Sequence, residues 1–348
     1  MKKLLLFLLM PLAVLTARAQ SNDYNMVIEL KNGTKITLGA NDVEDLTFNG
    51  DALSFSGNTI EDIIAALATK ADKSELTTKA DKSEIEELRT LISQLQEKVD
   101  PSVKEYTVNG VSFRMVKVDG GTFQMGATEE QGSDARDNEK PVHSVTLSDY
   151  WIGETEVTQA LWYAVMGKRP TPDGDQWSSS YGLGDNYPAY YVSWDDCQTF
   201  ITRLNQLTGQ SFRLPTEAEW EFAARGGNSS QGYKYAGSNT IDDVAWYYDN
   251  SYALGSSSPD YGAHPVASKS PNELGLYDMS GNVGEWCQDW YGSYSSSAQT
   301  DPVGPSSGSS RVLRGGSWNY SARYCRVSDR NNFSPSYRFY DNGLRLAL

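Results

Sequence analysis

Pro101 divides this chain into two sequence patterns that no single regular structure satisfies. Before it, seam positions recur every seven residues. Ile64, Ala71, Thr78, Ile85, Ile92 and Val99 fall on one of them, and Ile60, Leu67, Ser74, Asp81, Leu88 and Leu95 on its partner. An unbroken frame of this kind predicts a helix over residues 60–100 that winds with copies of itself into a coiled coil. Ile and Leu at the seam favour a parallel dimer. The polar centre, where "TKADKSELT" and "TKADKSEIE" repeat, leaves a trimer open. An amphipathic helix folded back onto the rest of the chain is the plainer alternative.

Proline ends that pattern, and residues 105–348 read quite differently: short strands, Gly-rich turns, many aromatics and few helices. "DCQTFITRLNQLTG" has the spacing of an amphipathic helix ended by Gly209. "PTEAEWEFAARGG" predicts a second, with Thr216 and Glu219 forming a capping box and Gly226-Gly227 stopping it. The expected fold is therefore α+β. Residues 20–59 form a small β segment, alternating apolar and polar around Asn32-Gly33 and Asn49-Gly50, and each Asn-Gly step predicts a hairpin.

The first nineteen residues, "MKKLLLFLLMPLAVLTARA", carry two lysines, an apolar run and a small-residue ending. That is the pattern of a secretory signal peptide cut before Gln20. The run is too short to span a bilayer, so the expected product is exported, whether to a periplasm, a cell surface or the medium. A formal net charge of −15 argues against nucleic acid as a partner. Nine Trp and twenty-one Tyr suit a binding surface better. The three cysteines, Cys197, Cys287 and Cys325, are odd in number, and their spacing alone does not say which would pair.

Six separated motifs carry a resemblance. "GGTFQMGA" at 120–127, "ETEVTQALWYAVMG" at 154–167, "YPAYYVSWDDC" at 187–197, "FRLPTEAEWEFAARGG" at 212–227, "GLYDMSGNVGEW" at 275–286 and "RVLRGGSW" at 311–318 stand in order. Together they resemble the formylglycine-generating enzyme, or sulfatase-modifying factor, family. The resemblance covers essentially all of residues 106–348 and implies a C-type-lectin-like fold. Enzymes of that family oxidise a substrate cysteine with oxygen and a copper ion held by two thiolates. Laid on this chain, the two thiolate positions fall on Tyr320 and Cys325. A phenol does not replace a thiolate for a soft ion, so no catalytic residue is expected and copper is not expected to bind. His143 and His264 sit in framework-like stretches. Under the alternative, an oxidase, Cys325 and Ser317 would carry the chemistry.

The resemblance also implies a structural calcium loop, with side chains from Asp278 and Glu285 and carbonyls from Gly281 and Val283. Cys287 and Cys325 lie on the two motifs that flank the presumed site, and a disulfide between them is expected, with Cys197 left reduced.

Between Asn319 and Asn342 about two-thirds of the residues are Tyr, Asn, Ser or Arg, a mixture familiar from antibody paratopes. Asn, Tyr, Ser, Asp and Phe are all reached from the codon AAC by changing adenines. With the closing "GLRLAL", the region resembles the variable segment of retroelement-diversified proteins. The expected ligand-binding residues are Asn319, Tyr320, Ser321, Tyr324, Asp329, Asn331, Asn332, Phe333, Tyr337, Phe339, Tyr340, Asp341 and Asn342. Ala322, Arg326, Val327, Arg330, Pro335 and Arg338 are expected to be framework between them. The sequence thus points to a non-catalytic exported protein that grips a protein or glycan and gains avidity as a homo-oligomer through residues 60–100. A purely structural spacer is the third reading.

Overall fold

A computed structural model describes residues 102–170 and 177–348 in full and six earlier strands at the level of the backbone. The chain forms two units, residues 1–101 and 102–348. In the first, β1 (Lys3–Leu6), β2 (Ala13–Gln20), β3 (Asp23–Leu30) and β4 (Lys35–Leu38) make an antiparallel sheet in chain order. A separate hairpin joins β5 (Asp45–Asn49) to β6 (Ala52–Ser56). Pairing of Glu29 with Lys35 encloses the first expected Asn-Gly step, whereas Asn49 is itself paired with Ala52, so the second turn starts one residue later than expected. The first two strands fall on the segment read as a signal peptide, and cleavage before Gln20 would leave β3 and β4 as a hairpin. The expected coiled-coil helix at 60–100 lies outside the described residues.

The second unit contains three small sheets. β7 (Val103–Val108), β8 (Val111–Val118) and β11 (Tyr150–Gly153) form one, with β8 central. β9 (Gly121–Met125), β10 (His143–Leu147) and β13 (Gln299–Thr300) form another. The third runs β15 (Asn331–Phe333), β14 (Arg311–Arg314), β12 (Gly284–Trp290), β16 (Asn342–Gly343), with β12 and β16 parallel.

Both expected helices form. Ser193 and Asp196 make a capping box at the start of α2 (Trp194–Thr208), and Gly209 ends it at φ +69°, where an L side chain would be strained. Thr216 and Glu219 close the same box on α3 (Glu217–Ala224). A further helix, α1 (Gln159–Met166), lies inside the 154–167 motif, and α4 (Ile241–Val244) is one turn long.

The core has two main parts. In one, α1 and α2 pack through Trp162 and Phe200, whose rings stack 5.0 Å apart, against Tyr190, Trp286, Trp318 and Leu344. In the other, Trp220 and Phe222 of α3 pack against Val116, Val145, Ile152 and Val312 of the strands. The C-terminus is built into this core. Ala347 bridges both Ile152 and Arg213, and the Trp151 amide donates to the Leu348 carbonyl.

Four fully buried arginines anchor the last third of the chain. Arg314 meets Glu221, Arg326 meets Glu139 at 2.6 Å, Arg330 meets Glu217 at 2.6 Å and Arg345 meets Glu285 at 2.7 Å. A charge at these positions is tolerable because its partner and backbone carbonyls satisfy it. Burial raises the Glu139 carboxyl, yet hydrogen bonds from Arg326 and Ser328 outweigh it and hold the group below the usual carboxylate range. These pairs fix where residues 311–345 run, and so fix the site.

Candidate ligand-binding surface

The site begins where β14 leaves the core through Gly315 and Gly316, both with φ in the left-handed region. At Gly316 a Cβ would lie 2.7 Å from the Cys325 sulfur and 2.6 Å from the Tyr324 carbonyl oxygen, so glycine lets the two segments touch. Ser317 then donates from its hydroxyl to Asp341 at 2.9 Å, with Asn319 Oδ1 at 2.6 Å. Asn319 in turn donates to the Tyr340 hydroxyl at 3.1 Å.

Trp318 is fully buried and forms the floor of an aromatic band. Its ring centroid lies 5.4 Å from Tyr340, 5.1 Å from Tyr261, 5.7 Å from Tyr252 and 5.9 Å from Tyr181. From Tyr340 the band continues through Phe339 at 4.2 Å, Tyr337 at a further 5.7 Å and Phe333 at a further 4.6 Å. At the other end Tyr252 leads to Tyr248 at 5.4 Å. Tyr248, Tyr252 and Phe339 are 39%, 37% and 36% exposed, so solvent reaches the band at both ends. Rings held in this way present apolar and stacking area that is already ordered, which limits the entropy lost on binding.

Of the thirteen residues expected to bind, Ser321 and Phe339 are exposed, and Asn319, Tyr320, Tyr324, Asn331, Asn332, Phe333, Tyr337 and Tyr340 are half-buried. The other three are corrections. Asp329 is buried, 3.4 Å from Arg326 and 3.3 Å from Arg136. Asp341 is buried beneath Ser317, and burial pushes its carboxyl up to about 6. Asn342 is buried in β16 against β12. Residue type matched a binding surface at these positions, but partners distant in sequence hold the side chains inside. Tyr320 and Tyr324 form a separate edge-to-face pair, centroids 5.7 Å apart. Asn331 and Asn332 lie on β15, at the edge of its sheet.

Five aromatic residues of the band were not foreseen: Tyr181, Tyr248, Tyr252, Tyr261 and Trp318. A signal was present in "WYYDNSYALGSSSPDYG" at 246–262, an aromatic-rich stretch between turn residues.

The thiols do not assemble. All three cysteines are free and buried, so the expected Cys287–Cys325 bridge is not formed. Alternation along β12 explains this. Glu285 and Cys287 face α3, Trp286 faces the opposite way towards the Val192 carbonyl, and Cys325 packs instead with Tyr235, Val244, Ala245 and Tyr247. Burial pushes the Cys325 thiol up to about 12, and Cys197 and Cys287 are raised well above the usual value. A neutral thiol is a poor ligand. With Tyr320 in the other position, the residues present do not fit a two-thiolate copper site.

The expected calcium loop is rigid, with Asp278, Gly281 and Asn282 all at positive φ. Its side-chain donors are otherwise engaged. Glu285 takes Arg345 through both carboxylate oxygens and also the Trp220 indole N–H at 2.6 Å. Asp278 accepts from the Ala267 amide at 2.8 Å, and Asn282 donates to Glu156 at 2.7 Å. Burial drives the Glu156 carboxyl well above its ordinary value and raises Asp278 to about 6. Among the described residues no three His, Cys, Asp or Glu side chains converge as metal ligands. Both side chains of the expected calcium set are thus committed to protein partners.

Small curled sheets, few helices, a buried C-terminus and a loop-borne surface define a protein of the sulfatase-modifying-factor class, a C-type-lectin-like scaffold. The chain belongs to that family: the Sulfatase-modifying factor enzyme 1-like domain matches residues 101–348. It is 32% identical over 275 residues to the chaperone protein LppX of Paenibacillus barcinonensis, covering 68% of this chain and 90% of that protein. It is 31% identical over 284 residues to the formylglycine-generating enzyme of Streptomyces coelicolor, covering 67% and 88%. Among solved structures, Treponema denticola variable protein 1 is similar at 37% identity with a TM-score of 0.59, covering 71% of this chain and 99% of that one. PvdO from Pseudomonas aeruginosa matches at 28% identity and a TM-score of 0.54, covering 67% and 93%. No helix among the described residues is long and apolar enough to cross a membrane.

Proposed function

We propose that residues 102–348 form a non-catalytic ligand-binding module that grips a protein or glycan through the band from Tyr248 to Phe333. One juxtaposition carries this reading: an ordered row of half-exposed rings lies over Trp318, beside a buried, protonated Cys325 with no second thiol. Similarity to a protein named a variable protein supports reading residues 319–342 as positions open to diversification. In this proposal the chain is exported, and residues 60–100 gather several copies so that weak sites act together.

Glycan and peptide arrays probed with the wild-type chain and with a Tyr252→Ser/Tyr337→Ser/Phe339→Ser variant test the reading. Signals lost in the variant at an unchanged thermal midpoint support it. Identical array profiles for the two proteins would reject the band as the contact surface. The oxidase alternative predicts that copper, oxygen and a sulfatase peptide yield an aldehyde on the peptide cysteine, and trapping that aldehyde with a hydrazide would overturn the non-catalytic reading. A near copy of the C-terminal coding segment, differing at adenines and lying beside a reverse transcriptase gene, is the expected mark of diversification. Without such a copy, that part of the reading fails.

A further inference from the structure

A cavity of about 510 Å³ opens where the start of α3, the end of β12 and the loop 292–305 meet. None of the aromatic-band residues lines it. Its inner charged wall is formed by His143, Glu217, Asp289, Tyr294 and Arg330, with Trp290 beside them. Ser293, Ser295, Gln299 and Thr300 add neutral polar groups.

The donors of Arg330, Tyr294 and His143 Nδ1 are already used. Arg330 donates from Nε and one terminal nitrogen to Glu217 at 2.7 and 2.6 Å, and from the other to the carbonyls of Asn138 and Gly292, each at 3.0 Å. The Tyr294 hydroxyl donates to Glu217 at 3.2 Å. His143 Nδ1 lies 3.1 Å from the Pro141 carbonyl. A carbonyl only accepts, so Nδ1 is the donor here, and in the neutral ring Nε2 is the acceptor.

Asp289 is 4% exposed. Among the described residues one donor reaches its carboxylate, the Glu217 amide, at 2.9 Å to Oδ2. No donor among the described residues reaches its other oxygen, which stays open to the cavity. Burial and the neighbouring Glu217 push this carboxyl up to about 7, against the opposing pull of the Glu217 amide and of Arg330. The wall therefore offers acceptors and, once Asp289 ionises above about pH 7, a negative charge, in a volume suited to a ligand of amino-acid or monosaccharide size.

We propose that this cavity is a second binding site, separate from the aromatic band, which takes a small organic cation. The N–H groups of a primary ammonium or guanidinium would donate to Asp289 and His143. Trp290 and Tyr294 would flank the ligand's apolar part.

The test is calorimetric titration of the full chain with agmatine and with n-butylamine, using n-butanol as the uncharged comparator at matched ionic strength. Saturable binding of at least one amine is expected, with none of butanol. Asp289→Asn keeps an acceptor for the Glu217 amide but loses the charge, and is expected to weaken binding at least about 10-fold, as loss of a charge-assisted contact does. Ser295→Arg, at an exposed position on the rim, sets a fixed positive charge at the mouth without touching the core and is expected to do the same. Tyr337→Ser/Phe339→Ser is expected to bind the amine as the wild type does. No saturable amine binding, butanol binding as tight as the amines, or unchanged affinity in both cavity variants would overturn the proposal. Loss of amine binding in the band variant would overturn the claim of a separate site.

Discussion

Replacing Gly316 by alanine tests how the Gly-Gly-Ser turn holds the site together. Gly316 has φ +69°, and holding an L residue in that region costs about 1–2 kcal/mol. The added Cβ would meet the Tyr324 carbonyl oxygen at 2.6 Å and the Cys325 sulfur at 2.7 Å. Neither neighbour is the loose end of a flexible side chain. Overpacking of this kind costs roughly 1–3 kcal/mol. The two effects together predict a loss of about 2–5 kcal/mol. Urea unfolding of the 102–348 unit measures it as a lower midpoint at unchanged slope. Cys325→Ala removes the sulfur but not the carbonyl, so the double variant Gly316→Ala/Cys325→Ala should cost less than the sum of the two single changes. A single-variant loss below about 1 kcal/mol, or strict additivity in the double variant, would show that the two segments are not pressed together as described.

Three further outcomes follow from the same geometry. Because Arg345 and Trp220 hold the Glu285 carboxylate, adding calcium or EGTA is expected to leave the thermal midpoint unchanged, and a calcium-dependent rise would refute that donor assignment. Alkylation before and after denaturation, followed by mass mapping without reductant, should find three thiols that are protected in the native chain and free once it is unfolded. A linked Cys287–Cys325 peptide would contradict this. The Asp289 carboxyl has a folded-state value of about 7 against about 3.9 in an unfolded chain, so the folded state binds the extra proton between these limits. Its favourable contribution is complete below about 4 and is lost as pH rises through about 7. The stability of the wild type relative to Asp289→Asn should therefore decline from pH 5 to pH 8, and a flat or rising difference would contradict the burial described.

How legible this was in the sequence depended on the range of each contact. Capping boxes at Ser193–Asp196 and Thr216–Glu219 are local, and α3 was readable from its own residues. The framework residues Arg326, Val327 and Arg330 stood out among polar neighbours and are indeed buried. Asp341 and Asp329 looked like their exposed neighbours because what buries them, Ser317 and Arg136, is 24 and 193 residues away. The aromatic band was half readable for the same reason. Phe333, Tyr337, Phe339 and Tyr340 are close in sequence, whereas Tyr181, Tyr252 and Tyr261 arrive on other loops. The disulfide was misjudged because proximity of two motifs says nothing about which face of β12 a side chain takes.

That separation of local from distant contacts also bears on why such a surface could tolerate change. Arg326 and Arg330 recur at short intervals through the terminal segment, each clamped to a carboxylate on a different element, Glu139 or Glu217. Arg338 is fixed less deeply, by a two-point contact with Asp196 at the start of α2. The path of the chain is set at these points. Substituting a half-buried ring such as Tyr337 removes contact area at one place in the band, while the backbone remains held on either side. Substituting Asp329 disturbs the Arg326 clamp, and substituting Asp341 removes the acceptor beneath Ser317. A surface divided in this way can change what it touches without changing where it stands, provided that variation falls on the rings and amides and spares the buried acids.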